Sequence, residues 1–193
     1  MTPTKPLRTD GEQFVKGALI LGSLWAYADI TSPVDKGQLV LELPDDVRTA
    51  LIEGTLLSVN WYPAEWHKAL LRRATFHQGP RIAREMARRV VRRDLNGVYR
   101  LFLRAIGTRR AFELVARLWP TYTRIGSMVT SIASPRVLTV RWAGCVDFDH
   151  VYWEGAFGGV IGSLEAMGAT SVKIDVTSGG GRSPDCEVRV IHY

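Results

Sequence analysis

The last third of the chain, residues 136–193, predicts a strand, a helix and then a hairpin of two further strands. Val137–Trp142 is rich in β-branched residues, as strands are. Val151–Gly168 has the length and apolar spacing of a helix. Two β-rich runs follow, Ser171–Val176 and Cys186–Tyr193, with a glycine-rich turn between them. This order predicts one sheet with a helix lying on its face.

The region before this block is predicted to be mainly helical. Its apolar residues recur at helical spacing, and prolines stand where helices begin or break. Helices are predicted from Pro44 to about Gly54, after Pro63, and over about 81–95, 98–106 and 109–119, the last capped by Thr108 and stopped by Pro120.

Shorter segments complete the predicted order. Residues 1–12 are polar with two prolines, which predicts a flexible tail. The apolar run Phe14–Ile30 predicts a β start followed by a helix or a second strand. The remaining predictions are a loop at Thr31–Gln38, a strand at Leu39–Leu43, and a hairpin of Met128–Ala133 with Val137–Trp142.

Together these elements predict an α+β fold, in which an N-terminal helical bundle packs on a mainly antiparallel sheet. The C-terminal strand, helix, strand and hairpin complete that sheet. We expect one domain over residues 13–193, because the chain has no internal repeat and no evident linker. The uncharged run Gly17–Ala28 is shorter than the about 20 residues of a membrane span. With two cysteines and no basic leader, we expect a cytoplasmic protein without a membrane span.

Four glycines inside the predicted C-terminal helix invite comparison with phosphate-binding loops: Gly155, Gly158, Gly159 and Gly162. Such loops place their glycines directly after a strand, where a helix opens. Here the glycines lie within the helical pattern, and no Gly-Lys-Ser/Thr follows. We interpret them as small residues that let the helix lie close to the sheet.

The residue types of catalytic and metal sites are present without the spacing of a known motif. Cys145, near Asp149 and His150, is the local nucleophile candidate, and we interpret it as a buried cysteine beside a polar loop. Cys145 and Cys186 form no Cys-x-x-Cys unit. The histidines are scattered and are expected at the surface or at helix caps: His67, His77, His150 and His192. The sequence therefore predicts no enzyme, no catalytic residue, no metal and no cofactor.

An arginine-rich window spans residues 72–110. It holds twelve arginines against Glu85 and Asp94, a net +10; since the whole chain is +6, the remainder carries −4. One helical face collects arginines three and four residues apart: Arg81, Arg84, Arg88 and Arg92. This face fits an acidic protein partner, nucleic-acid phosphates or an anionic membrane surface. The alternative is a solvated face paired with carboxylates from the acidic remainder.

Aromatic residues cluster around the C-terminal block. Most aromatic side chains simply pack in cores, but helix-on-sheet folds often leave an apolar pocket between the layers. Both alternatives fit these positions. The residues predicted to line such a ligand pocket are Trp119, Tyr122, Trp142, Trp153 and Phe157.

Three motifs resemble an uncharacterised paralogous family of myxobacteria: Trp61–Trp66 before the arginine-rich region, Leu118–Gly126, and Glu154–Gly159 after the hairpin. The resemblance runs from about Phe14 to Tyr193. That family is similar in fold to a larger group, which includes the 4-vinyl-reductase-type ligand-binding domain, the haem–nitric-oxide-binding domain and the TRAPP vesicle-tethering subunits. The resemblance implies helices on a mainly antiparallel sheet, frequent dimers and an apolar cavity between helices and sheet.

The chain departs from two ligand motifs of that group. For the zinc site of the 4-vinyl-reductase type, the resemblance offers Cys145, Asp175 and Cys186, but Ser178 stands where a further cysteine is expected. The Tyr-x-Ser-x-Arg motif of the haem domain is replaced by Tyr122-Thr-Arg-Ile-Gly126, and no proximal histidine is evident. The resemblance thus implies the fold without the metal or the haem.

These observations predict a non-enzymatic cytoplasmic sensor or adaptor domain in signalling, acting as a homodimer. It would bind a small apolar ligand in the pocket, an acidic protein partner at the arginine stripe, or both. The alternative is a nucleic-acid-associated regulator that binds through the arginine-rich surface, with an affinity that falls steeply as salt rises.

Overall fold

The computed structural model describes residues 13–95, 113 and 116–193. Within these ranges the predicted α+β fold is confirmed. No described helix is both long and apolar enough to cross a membrane. The predicted tail at 1–12, the helix at 98–106 and most of the helix at 109–119 lie outside the described residues.

The described helices and strands follow one another in this order along the chain: β1 (Phe14–Lys16), α1 (Gly17–Ile30), α2 (Pro33–Leu41), α3 (Asp45–Ile52), β2 (Trp61–Pro63), α4 (Ala64–Gln78), α5 (Ile82–Asp94), α6 (116–122), β3 (Ser127–Ser134), β4 (Val137–Ala143), α7 (His150–Met167), β5 (Val172–Gly179) and β6 (Cys186–His192).

A four-stranded antiparallel sheet in the order β3–β4–β6–β5 forms the C-terminal layer. Alternate residues of β4, Leu138, Val140 and Trp142, are buried on one face. The ring of Trp142 lies 5.8 Å from that of Trp153 on α7, so α7 covers this face. The strand, helix, strand and hairpin predicted for the last third are therefore confirmed.

Residues 33–41 form α2, although the sequence predicted a loop followed by a strand there. Ser32 begins the helix, because its Oγ accepts a hydrogen bond from the backbone N–H of Asp35 at 3.1 Å. Pro33 occupies the first turn, where its missing N–H costs nothing. The strand predicted at Leu39–Leu43 is wrong because a short apolar run fits the end of a helix equally well.

Replacing Ser32 by alanine should lower the free energy of unfolding by about 1 kcal/mol, the usual cost of losing a helix cap. The variant also loses the 2.6 Å hydrogen bond from Ser32 Oγ to the Asp35 carboxylate. Urea denaturation measures the change. The matched control is Ser58→Ala, an exposed loop position, which should stay within about 0.5 kcal/mol of the wild type.

The glycines of α7 bring this helix against α5 rather than against the sheet, which corrects the sequence interpretation. A Cβ added at Gly158 would overlap the backbone oxygen of Arg84 on α5. One added at Gly162 would lie 2.5 Å from the backbone oxygen of Arg88. Small residues four apart therefore form the contact face between two helices whose backbones approach closely.

The helix around Pro120 continues further than predicted. The sequence indicates that Pro120 stops it, but residues 116–122 are all helical. Proline lacks one N–H donor and does not prevent the next residues from bonding back. The backbone N–H of Thr123 donates to the carbonyl of Trp119 at 3.0 Å, which carries the helix past Pro120.

Candidate ligand-binding cavity

A cavity of about 170 Å³ lies where the helices meet the sheet. Its wall draws on α1, α4, α5, α6 and α7 and on β3 and β4, and most of the side chains are apolar. Gly155 and Gly159 of α7 belong to this wall, and the atoms nearest to an added Cβ there are 3.7 and 3.9 Å away. The absence of side chains at these two positions leaves room for the cavity.

Three of the five aromatic residues predicted to line a pocket contribute to this wall. Trp119 and Tyr122 come from α6 and Trp142 from β4. Trp153 and Phe157 lie instead in the core beside Trp142, with ring centroids 5.8 and 6.0 Å from its ring. The five aromatic residues thus divide between the cavity wall and the adjoining core, and ligand binding by them stays a prediction.

Three side chains of the cavity wall are joined in a chain of hydrogen bonds. His67 of α4 lies between Ser23 of α1 and Tyr152 of α7. Its Nε2 is 2.9 Å from Ser23 Oγ, and its Nδ1 is 3.0 Å from the Tyr152 hydroxyl. The His67 and Tyr152 rings also meet edge to face, with centroids 5.5 Å apart. Three helices are therefore joined through one imidazole.

His67 corrects the expectation that the histidines lie at the surface or at caps, since its exposed fraction is 5%. Burial lowers the pKa of His67 to about 3, because the charged ring would lose its hydration. Burial likewise raises the pKa of the Tyr152 hydroxyl. A signal was present in the sequence: His67 precedes Leu70, Leu71 and Ala74 by three, four and seven positions, which places it on the apolar stripe of α4.

Cys145 and Cys186 are both buried free cysteines. Burial, with smaller contributions from Asp185 and Cys186, raises the pKa of Cys145 to about 12. A thiol that stays protonated is a poor nucleophile. No group of three His, Cys, Asp or Glu side chains in the described ranges is placed to hold a metal. Asp175 instead pairs with Lys173 at 3.0 Å.

Three of the four arginines of the stripe, Arg84, Arg88 and Arg92, are paired with carboxylates of α7. Arg84 donates to both carboxylate oxygens of Glu154, at 2.6 and 2.8 Å. Arg88 lies 2.7 Å and Arg92 3.6 Å from Glu165. This geometry favours the interpretation of a solvated, internally paired face. Partner binding stays a prediction for all four residues: Arg81, Arg84, Arg88 and Arg92.

No protein-family model and no curated protein matches this chain. Solved structures do match its fold. The Fe(II) unliganded H-NOX protein from K. algicida aligns with a TM-score of 0.65 and 12% identity, over 92% of this chain and 96% of that one. An oxygen-binding H-NOX domain related to soluble guanylate cyclases, in its oxygen complex, aligns with a TM-score of 0.59 and 11% identity, over 92% and 94%. The chain therefore has the fold of H-NOX domains, the haem–nitric-oxide-binding class.

The described cavity residues do not fit a haem. A histidine that ligates iron uses one ring nitrogen for the metal and the other as a hydrogen-bond donor. Both ring nitrogens of His67, the histidine of the described wall, are occupied by Ser23 and Tyr152. That wall offers no arginine or lysine to pair with haem carboxylates. A volume of about 170 Å³ suits a single aromatic ring rather than a porphyrin.

Proposed function

We propose that this chain is a non-enzymatic, cytoplasmic sensor domain whose cavity binds a small, largely apolar molecule. The observation that carries the proposal is the apolar cavity, which in the described part of the chain is lined by five helices and two strands. A well-formed apolar pocket with a few polar groups is the usual form of a small-molecule site. The likeness to H-NOX domains supports the proposal at the level of the fold.

The cavity's position supports sensing. Its wall includes α5 and α7, the two helices that also carry the close glycine contact and the ion pairs from Arg84 and Arg88. A ligand in the cavity contacts both helices at once. Any difference in its affinity between two arrangements of α5 and α7 would shift their populations. Such a shift would change the surface that α5 and α7 present to a partner or to a second copy of the chain.

Toluene should raise the melting temperature of the purified protein. At about ten times its Kd, a ligand stabilises the folded state by about 1.4 kcal/mol, which is about 3–5 °C for a chain of this size. The test variant is Gly159→Leu, because its side chain would enter the cavity while its Cβ meets the nearest atom only at 3.9 Å. We expect this variant to lose the toluene effect.

The matched control is Gly37→Leu, the same substitution at an exposed position of α2 with no atom within 4 Å of an added Cβ. It should keep the wild-type response to toluene. The proposal fails if toluene does not change the melting temperature of the wild type. It fails equally if Gly159→Leu responds as fully as Gly37→Leu.

A further inference from the structure

The Ser23–His67–Tyr152 chain always leaves one hydrogen-bond donor over. A neutral imidazole carries one N–H, and each hydroxyl carries one O–H, so three hydrogens serve two hydrogen bonds. If Nδ1 of His67 donates to Tyr152, then Ser23 donates to Nε2 and the Tyr152 O–H is left over. If Nε2 donates to Ser23, then Tyr152 donates to Nδ1 and the Ser23 O–H is left over. One tautomer therefore leaves the spare donor on Tyr152, and the other leaves it on Ser23.

The spare donor has no protein acceptor among the described residues. The hydrogen bonds of Ser23 and Tyr152 side chains in those ranges are the two to His67. Both residues are nearly fully buried, with exposed fractions of 2% and 7%, and both line the cavity. A buried donor left without an acceptor is costly, so an acceptor inside the cavity would be stabilising.

Four other polar side chains of the described wall are less suited to this task. Ser163 already donates to the carbonyl of Gly159 at 2.9 Å. Trp142 Nε1 and Thr123 Oγ1 lack partners among the described residues, but protein atoms cover both of them completely. Asp94, the charged side chain of the described wall, lies 3.4 Å from Arg93.

We infer that the cavity selects an uncharged, compact aromatic or aliphatic molecule that carries one hydrogen-bond acceptor, such as a ketone, aldehyde or ether oxygen. The acceptor takes the spare hydrogen of the Ser23–His67–Tyr152 chain, and the ligand thereby selects one tautomer of His67. The inference rests on the proposed function, since it names the ligand class for the same cavity. A ligand built on a single aromatic ring matches the volume of about 170 Å³, because a cavity of about 150 Å³ holds benzene.

Three probes of nearly the same shape test this inference: acetophenone, α-methylstyrene and benzoate. Acetophenone has the acceptor, α-methylstyrene replaces its oxygen by a CH₂ group, and benzoate adds a negative charge. One net hydrogen bond should make the Kd of acetophenone about 2–12-fold lower than that of α-methylstyrene. Benzoate should bind at least about 100-fold more weakly than acetophenone, because the described wall offers no cation. Titration calorimetry or ligand-detected NMR measures the three constants.

A spectroscopic readout follows the tautomer directly. With ¹⁵N-labelled histidine, acetophenone should move the two ring resonances of His67 in opposite directions, and α-methylstyrene should leave their balance unchanged. The resonances are assigned by their absence from His67→Gln. The matched variant Ser23→Ala/His67→Phe/Tyr152→Phe replaces all three hydrogen-bonding side chains by apolar ones. It should bind α-methylstyrene and lose the preference for acetophenone.

The outcomes separate the two proposals. Binding of α-methylstyrene and acetophenone with equal affinity by the wild type, or unchanged His67 resonances with acetophenone, overturns the inference and leaves the proposed function standing. Retention of the acetophenone preference in the triple variant overturns it as well. If the wild type binds neither neutral probe, both proposals are wrong. The wild-type comparison decides the question even if the triple variant does not fold.

Discussion

Replacing Gly158 by alanine should lower the free energy of unfolding by roughly 1–3 kcal/mol, the usual cost of overpacking. The added Cβ would overlap the backbone oxygen of Arg84, so α5 and α7 must move apart. This loss runs against the gain of about 1 kcal/mol that alanine normally brings when it replaces a helical glycine. Urea denaturation followed by circular dichroism measures the difference.

The neighbouring residue supplies the control. An added Cβ at Gly159 finds its nearest atom at 3.9 Å, so Gly159→Ala should be neutral or should stabilise the protein by up to about 1 kcal/mol. Gly162→Ala should reproduce the loss, because its Cβ would lie 2.5 Å from the Arg88 oxygen. Equal stability of the Gly158→Ala and Gly159→Ala proteins would contradict the close contact between α5 and α7.

The sequence predicted that these glycines pack closely, but it did not predict which element they pack against. Their positions inside a helical pattern are enough to reject a phosphate loop and to predict close packing. The spacing of the glycines along α7 does not determine the element that they contact, because α7 has the sheet on one side and α5 on another. Gly158 and Gly162 lie toward α5, while Trp153 of the same helix contacts Trp142 of the sheet.

Secondary structure was predictable where local chemistry and apolar pattern agree. Pro44 followed by acidic residues marks the start of α3 correctly. At α2 the two signals conflict: Ser32 and Pro33 indicate a helix start, whereas Leu39–Leu43 is a short apolar run that also fits a strand. The cap hydrogen bond at Asp35 and the helical hydrogen bond from the Glu42 N–H to the Gln38 carbonyl, at 3.3 Å, show that the segment is a helix.

The sequence predicted three of the aromatic residues that line the cavity, but none of the three hydrogen-bonded side chains. Trp142 and Trp119 are large apolar residues, so their convergence on the core follows from burial alone. His67 acquires its role from Ser23 and Tyr152, which lie 44 and 85 positions away in the chain. Only the packing of α1, α4 and α7 brings these three side chains together, and no local sequence pattern predicts that contact.

Lowering the pH from 7 to 5 should cost roughly 2 kcal/mol of folding stability through His67 alone. Burial holds the pKa of His67 at about 3 in the folded protein, against 6.5 for the free side chain. Below pH 6.5 the unfolded chain therefore binds a proton that the folded protein does not. The stability is fully present above that pH and is lost as the pH falls toward 3. Urea denaturation at several pH values measures the slope.

His67→Gln should flatten that slope by about the same amount, because glutamine keeps a donor and an acceptor for Ser23 and Tyr152 without a titrating ring. The range above pH 5 is chosen because most carboxylates, with pKa values near 4, titrate below it. His192, whose pKa burial also lowers, contributes in the same direction to both proteins and cancels in the comparison. The matched control is Ser58→Ala, an exposed loop position without a titrating side chain, which should keep the wild-type slope. If His67→Gln keeps that slope too, the buried imidazole is not the group that resists protonation, and the neutral chain through Ser23 and Tyr152 loses its support.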